Sequence, residues 1–204
     1  MIIIGVTGSI GMGKSTITNM LNKLRIPVFD SDKEVKNILD NNNNVINKIY
    51  KLWPNVIQFS KTDKHVNKNA LSKKMFNEKK NRKILENILH PLVQKKRDFF
   101  IQTKNKSFII ALDVPLLYET GADKICDEIF LVYTNENIQK DRVLAREGMT
   151  EKKFYQIKQA QWSTEIKMKK KPYLVTTSYG KLLSFILIVS FLIKIIFEKK
   201  VLKI

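Results

Sequence analysis

An α/β fold, a parallel sheet with helices on both faces, is what this sequence predicts, and three observations predict it. Short apolar, β-branched runs recur at residues 2–6, 27–30, 107–113, 128–133 and 173–176. Segments with apolar residues at helical spacing separate them, and strands that alternate with helices pair in parallel. The first run leads into Gly8-Ser9-Ile10-Gly11-Met12-Gly13-Lys14-Ser15, which has the form G-x-x-x-x-G-K-[ST].

The first element, Ile2-Ile3-Ile4-Gly5-Val6, reads as a buried strand. After the glycine-rich turn, residues 16–24 place Ile17, Met20, Leu21 and Leu24 on one helical face. Strand, turn and helix therefore come in the order that a phosphate-cradling loop requires. Glycine lets the backbone curl with its N–H groups inward, and the helix that follows adds the positive end of its dipole. In such a loop Gly8, Gly11, Met12, Gly13, Lys14, Ser15 and Thr16 surround the phosphates of a bound nucleotide. Lys14 reaches the β- and γ-phosphates, and the Ser15 hydroxyl holds Mg²⁺. A chance match to the four fixed positions is expected in well under about one chain in a hundred.

Between the second and third strands, residues 31–106 are mainly helical and strongly basic. That is too long for one crossover helix, so a substrate-covering lobe is expected there. Residues 41–44, all Asn, read as a short polar loop. Residues 135–170 are again helical and charged, a lid-like segment in which Arg142 and Arg146 sit one turn apart and so share a face. His90 precedes Pro91, which should end its helix. Residues 182–197 are apolar except for Ser184, Ser190 and Lys194. This run is shorter than a spanning helix needs, and Lys194 would be costly in the bilayer, so a terminal helix packed on the sheet or on another chain is expected over 181–200. Oligomeric state is left open.

With 204 residues the chain can form one substantial domain, lobe and lid included. A net charge of +18 and a pI near 9.9 admit nucleic acid, an anionic membrane or a polyphosphate as partner. The lysines are scattered among Asn and Ile rather than gathered in one arm, and no nucleic-acid motif or stacking platform accompanies them, so no nucleic-acid partner is expected. A single cysteine, Cys126, rules out an internal disulfide or a cysteine-based zinc site and fits the cytoplasm. The N-terminus opens directly into the nucleotide-binding strand, which argues against a leader peptide.

A guanine-reading Asn-Lys-x-Asp is missing where regulatory GTPases carry it; the segment reads Val132-Tyr133-Thr134-Asn135-Glu136-Asn137. Motor and transporter ATPases are usually much longer. A small kinase remains. Its second diagnostic element is Pro27-Val28-Phe29-Asp30-Ser31-Asp32, in which a strand ends in two carboxylates at the edge of the sheet where open α/β folds bind ligands. One of them can take the proton of an acceptor hydroxyl. Either could instead cap the following helix. Asp32 is the candidate base, with Asp30 capping or ordering Mg²⁺ through water.

Here the chain resembles the dephospho-CoA kinases, which belong to the P-loop NTPase fold: three layers with a five-stranded parallel sheet, a helical acceptor lobe and a helical lid. The resemblance rests on residues 6–16 and 28–32, on Leu85-Glu86-Asn87-Ile88-Leu89-His90-Pro91, on Asp113-Val114-Pro115-Leu116-Leu117-Tyr118-Glu119, on Gln139 with Arg142 and Arg146, and on Gln161. It covers residues 1 to about 178. It implies ATP-dependent phosphorylation of the ribose 3′-hydroxyl of dephospho-CoA, with Mg²⁺ as cofactor. Asp32 would orient and deprotonate that hydroxyl, Lys14 would draw off charge, and Arg142, helped by Arg146, would close over the phosphates. Asp113 could support Mg²⁺ or the acceptor, or hold a turn. The resemblance gives His90 a part in shaping the acceptor pocket, and Tyr118 and Glu119 a contact with the acceptor's adenosine, though Tyr118 could equally be core. The chain departs from the family at Arg25, where a glycine is usual, at 170–173, where Lys-Pro replaces Ala-Asp, and in the final helix, normally amphipathic. A helix apolar all round must be buried, paired or in lipid.

Overall fold

The computed structural model describes residues 1–60 and 63–201, and the chain divides into two compact units, Met1–Phe29 with Lys104–Ile204, and Asp30–Thr103. In the first unit the strands are β1 (Ile2–Thr7), β2 (Val28–Asp30), β5 (Ile109–Asp113), β6 (Glu128–Tyr133) and β7 (Tyr173–Thr176), in the order β2-β5-β1-β6-β7. The β1–β5, β1–β6 and β6–β7 pairings are parallel, with Val6 in register with both Asp113 and Phe130. Its helices are α1 (Lys14–Lys23), α6 (Glu136–Leu144), α7 (Glu151–Gln159), α8 (Thr164–Met168) and α9 (Lys181–Val201).

Alternation along β1 sorts its side chains between two layers. Ile2, Ile4 and Val6 join Ile17 and Leu21 of α1 and Ile188, Leu192 and Ile195 of α9 in one buried cluster. On the other face Gly5 leaves no room for a side chain: a Cβ there would lie 2.9 Å from both Cys126 Sγ and Leu117 Cδ2. The α9 helix is buried on one side only. Burying Ile188, Leu192 and Ile195 is worth on the order of 6 kcal/mol, while Leu182, Ile186, Ile193 and Phe197 remain exposed. Among the described residues no helix is long and apolar enough to cross a membrane.

The α1 helix closes with a paired hydrogen-bond signature, Ile26 N–H to Leu21 O at 3.0 Å and Arg25 N–H to Asn22 O at 2.9 Å. That closure requires a left-handed residue between them, usually glycine. Arg25 occupies the position with φ 59°, so the departure from the family pattern there carries a backbone cost. Arg25→Gly is expected to stabilise the protein by about 1 kcal/mol, the steric penalty of a Cβ in that region; a urea melt with an unchanged midpoint would contradict this.

The second unit contains α2 (Ser31–Asn41), α3 (Asn43–Leu52), the antiparallel pair β3 (Ile57–Phe59) and β4 (Lys64–Val66), α4 (Lys68–Asn77) and α5 (Lys79–Thr103). Ile38, Leu39, Val45, Ile46, Ile49, Trp53, Val66, Leu71 and Leu89 form its core. Two expectations are corrected in this unit, at residues 41–44 and at Pro91, while the segment is mainly helical as read and adds one short hairpin. The polar run 41–44 is a helix junction, in which the Asn42 side chain accepts from Val45 N–H at 3.1 Å. The hairpin within the segment read as mainly helical gave no strong alternation, because its strands have three residues each. And Pro91 does not end a helix: α5 continues through it. Proline removes one backbone bond and crowds the preceding turn, at about 3 kcal/mol. Leu85, Ile88 and Leu89 before it and Leu92 and Val93 after it all pack on the same core, which outweighs that cost.

Candidate active site

The loop between β1 and α1 is shaped by contacts that leave no room for side chains. Gly11 has φ 77°, and a Cβ there would lie 2.6 Å from Val143 Cγ2; Gly13 has φ 90° and would place one 3.1 Å from Thr177. Gly13 is also the N-cap of α1, with no side-chain hydrogen bond to the helix. The first amides of α1 therefore lack a side-chain cap, the arrangement that suits an oxyanion. Lys14 Nζ donates to Gly8 O at 3.0 Å, so its ammonium folds back along the loop. Ser15, on the next residue, is exposed, and Thr16 N–H bonds to Gly13 O at 3.0 Å. Met12 is buried; its sulfur receives Thr134 N–H at 3.2 Å, and its carbonyl receives the Thr177 hydroxyl at 2.8 Å.

Arg142, on α6, converges on that same threonine. Its two terminal nitrogens donate to Thr177 Oγ1 at 2.8 Å and Thr177 O at 3.0 Å. Thr177, Met12 and Arg142 thus link the end of β7, the loop and α6. Arg146 lies beyond the helix whose spacing was to align it with Arg142: α6 ends at Leu144, and Arg146 is exposed in the following turn, with its N–H on Val143 O at 3.1 Å. The loop apex is held from two sides. Gln139 Nε2 donates to Ile10 O at 2.7 Å, and Ile10 N–H donates to Gln161 Oε1 at 3.0 Å.

A sequence model of the dephospho-CoA kinases matches residues 2–181. The chain belongs to the dephospho-CoA kinase family. Its members phosphorylate dephospho-CoA with ATP in CoA biosynthesis. A dephospho-CoA kinase of Rhizobium etli is 38% identical over 182 residues, covering 88% of this chain and 87% of that one. A dephospho-CoA kinase structure from Campylobacter jejuni is 26% identical, with a TM-score of 0.68 over 95% of this chain and 96% of that one. A Thermus thermophilus crystal structure, also 26% identical, reaches 0.78 with the same coverage.

The other family elements in this unit fall on the loop after β5. Asp113 is the last residue of β5 and is buried. Among the described residues no group of three or more His, Cys, Asp or Glu side chains forms a metal cage. Ser15 and Asp113 offer hard oxygens in small number, which fits Mg²⁺, an ion that keeps most of its coordination for water and phosphate oxygens.

Glu119, for which the resemblance implies an acceptor contact, is engaged within this unit. Its Oε1 lies 3.0 Å from the ammonium of Lys167 and accepts Trp162 N–H at 2.7 Å, and its Oε2 is buried with no hydrogen-bond partner among the described residues. Lys167 is fully buried, and burial holds it below the usual lysine range, against the hydrogen bond and charge of Glu119. Tyr118 packs as core, at 6% exposure, its ring parallel to that of Trp162 with centroids 6.2 Å apart.

Burial, with smaller effects from Asp123 and Cys126, pushes the Tyr118 hydroxyl from an ordinary 10.0 up to about 12. The folded chain then keeps a proton that the unfolded chain releases above pH 10. This contribution to stability is complete below that pH and is lost as pH rises towards 12, by about 2 kcal/mol. Tyr118→Phe is expected to flatten the loss, measured as urea unfolding free energy from about pH 8 to about pH 11.5; a wild-type slope in the variant would show that the hydroxyl does not sense its burial.

In the second unit Asp30 is the helix cap: its carboxylate accepts Lys33 N–H at 3.0 Å. Asp32, in the first turn of α2, is exposed, as is His90 on α5. Gln139 and Gln161 stood in the motif set without a role, and Thr177 and Lys167 carried no signal. Their partners lie 35 to 165 residues away, where spacing along the chain says nothing.

Proposed function

We propose that this chain transfers the γ-phosphoryl group of ATP to the ribose 3′-hydroxyl of dephospho-CoA, giving CoA and ADP. The observation that carries the reading is the loop itself: Lys14 lies along it, α1 begins without a side-chain cap, and Arg142 is fixed beside it by Thr177. The family to which the chain belongs supplies the acceptor.

Asp32 takes the proton of the acceptor hydroxyl, whose oxygen attacks the γ-phosphorus in line as the bond to the bridging oxygen of ADP breaks. That Asp30 is engaged as the cap supports this division of roles. Lys14 carries positive charge to the β- and γ-oxygens, and the amides from Gly11 to Thr16 orient them. Arg142 supplies charge to the transferring group from the lid side, with Arg146 assisting from the turn. Ser15, with Asp113 in support, would hold Mg²⁺, which would supply neutralisation of the phosphate-oxygen charge. His90 contributes to the acceptor pocket. The cytoplasm is the proposed location, in keeping with a chain whose single cysteine, Cys126, cannot form an internal disulfide.

ADP release from Mg-ATP should require dephospho-CoA and yield CoA, with adenosine and AMP as control acceptors. No acceptor-dependent turnover in a protein that binds ATP would overturn the reading.

A further inference from the structure

Lys167 is an expensive residue in its place. Taking two charges out of water costs several kcal/mol per ion, so a buried ion pair is weak evidence for stability. An ion pair kept at that cost fixes geometry, and here the geometry leads to the phosphate loop by two routes. The Lys167 ammonium donates to Pro115 O at 3.1 Å, and the same carbonyl receives the hydroxyl of Thr7, the last residue of β1, at 3.1 Å. The ammonium also lies 3.0 Å from Glu119 Oε1, which receives Trp162 N–H at 2.7 Å. Trp162 follows Gln161, whose side chain holds Ile10 N–H at 3.0 Å. One buried cation thus anchors both the root of the loop, at Thr7, and its apex, at Ile10.

We propose that the Lys167–Glu119 pair is a positioning device for the phosphate loop: it sets the Gln161–Trp162 turn so that Gln161 holds Ile10 in the ATP-binding conformation. The proposal rests on the reading of this loop as the ATP site, and it makes Glu119 a positioning residue rather than an acceptor contact. Gln139, bonded to Ile10 O at 2.7 Å, completes the hold from α6. The pair's value lies in where it places Trp162 N–H, so an acceptor for that group should preserve much of the function even without charge.

Removing one partner alone would strand a buried charge, so the test replaces both. Lys167→Met with Glu119→Leu deletes the charges and the acceptor for Trp162 N–H; Lys167→Met with Glu119→Gln deletes the charges and keeps an acceptor. Mg-ATP affinity is read by calorimetry, which needs no turnover, alongside separate KM values for ATP and dephospho-CoA. The first variant is expected to bind ATP about 10-fold more weakly, as misplacement of a binding loop does, with the KM for dephospho-CoA within about twofold. The second should recover most of that loss. Gln161→Ala should reproduce the weakening and add little to the first variant, since both act on the same contact. Unchanged ATP affinity in the first variant, or a raised KM for dephospho-CoA alone, would overturn the proposal. Should the first variant fail to fold, Gln161→Ala decides: wild-type ATP affinity there overturns it equally. Wild-type protein that binds ATP but does not phosphorylate dephospho-CoA would sink the proposed reaction, while the calorimetry would still judge the brace.

Discussion

Methionine in place of Arg142 is expected to lower kcat by on the order of 10³-fold, the scale on which an arginine stabilises charge in phosphoryl transfer. The side chain reaches its place from α6 and is held there by both oxygens of Thr177. Methionine keeps most of the stem and removes the guanidinium. The KM for ATP should change much less than kcat, because transition-state charge is what the group meets. Arg142→Lys should rescue little: an ammonium cannot span both Thr177 oxygens in the planar geometry of a guanidinium. Arg142 is exposed, so circular dichroism and melting should stay near wild type. A kcat within tenfold of wild type would remove Arg142 from the catalytic set.

Asp32→Asn is expected to reduce kcat by about 10²- to 10⁴-fold, the range for loss of a general base, with ATP affinity nearly unchanged. The neighbouring carboxylate provides the control. Asp30 caps α2 through Lys33 N–H, and asparagine caps as well as aspartate, so Asp30→Asn should leave turnover and stability close to wild type. Single-turnover kinetics with saturating ATP separates the two variants. Equal loss of ATP affinity and rate in Asp32→Asn would make that residue structural or metal-organising instead.

The phosphate loop is legible in the sequence because its physics is local: glycine conformations, a strand before and a helix after lie within about twenty residues. Short apolar, β-branched runs likewise place β6 and β7 at their observed bounds, residues 128–133 and 173–176. Where local rules meet packing they give way. Proline should stop a helix, yet α5 passes through Pro91 because apolar residues on both sides share one core. A spacing of four puts Arg146 beside Arg142, yet α6 ends between them. Glycine is the usual residue at the end of α1, yet Arg25 holds the left-handed turn.

Chemistry that depends on residue type and near neighbours is therefore written in the chain: a nucleotide loop, its lysine and serine, a pair of carboxylates at a strand end, a lid arginine. Contacts between distant segments are not. Thr177 as the seat of Arg142, Gln139 and Gln161 as the clamps on Ile10, and a buried lysine bound to Glu119 all join residues 35 to 151 positions apart. Hydrogen bonds and ion pairs act over about 3 Å, and proximity on that scale exists only after the sheet has brought strand ends, lid and loop together.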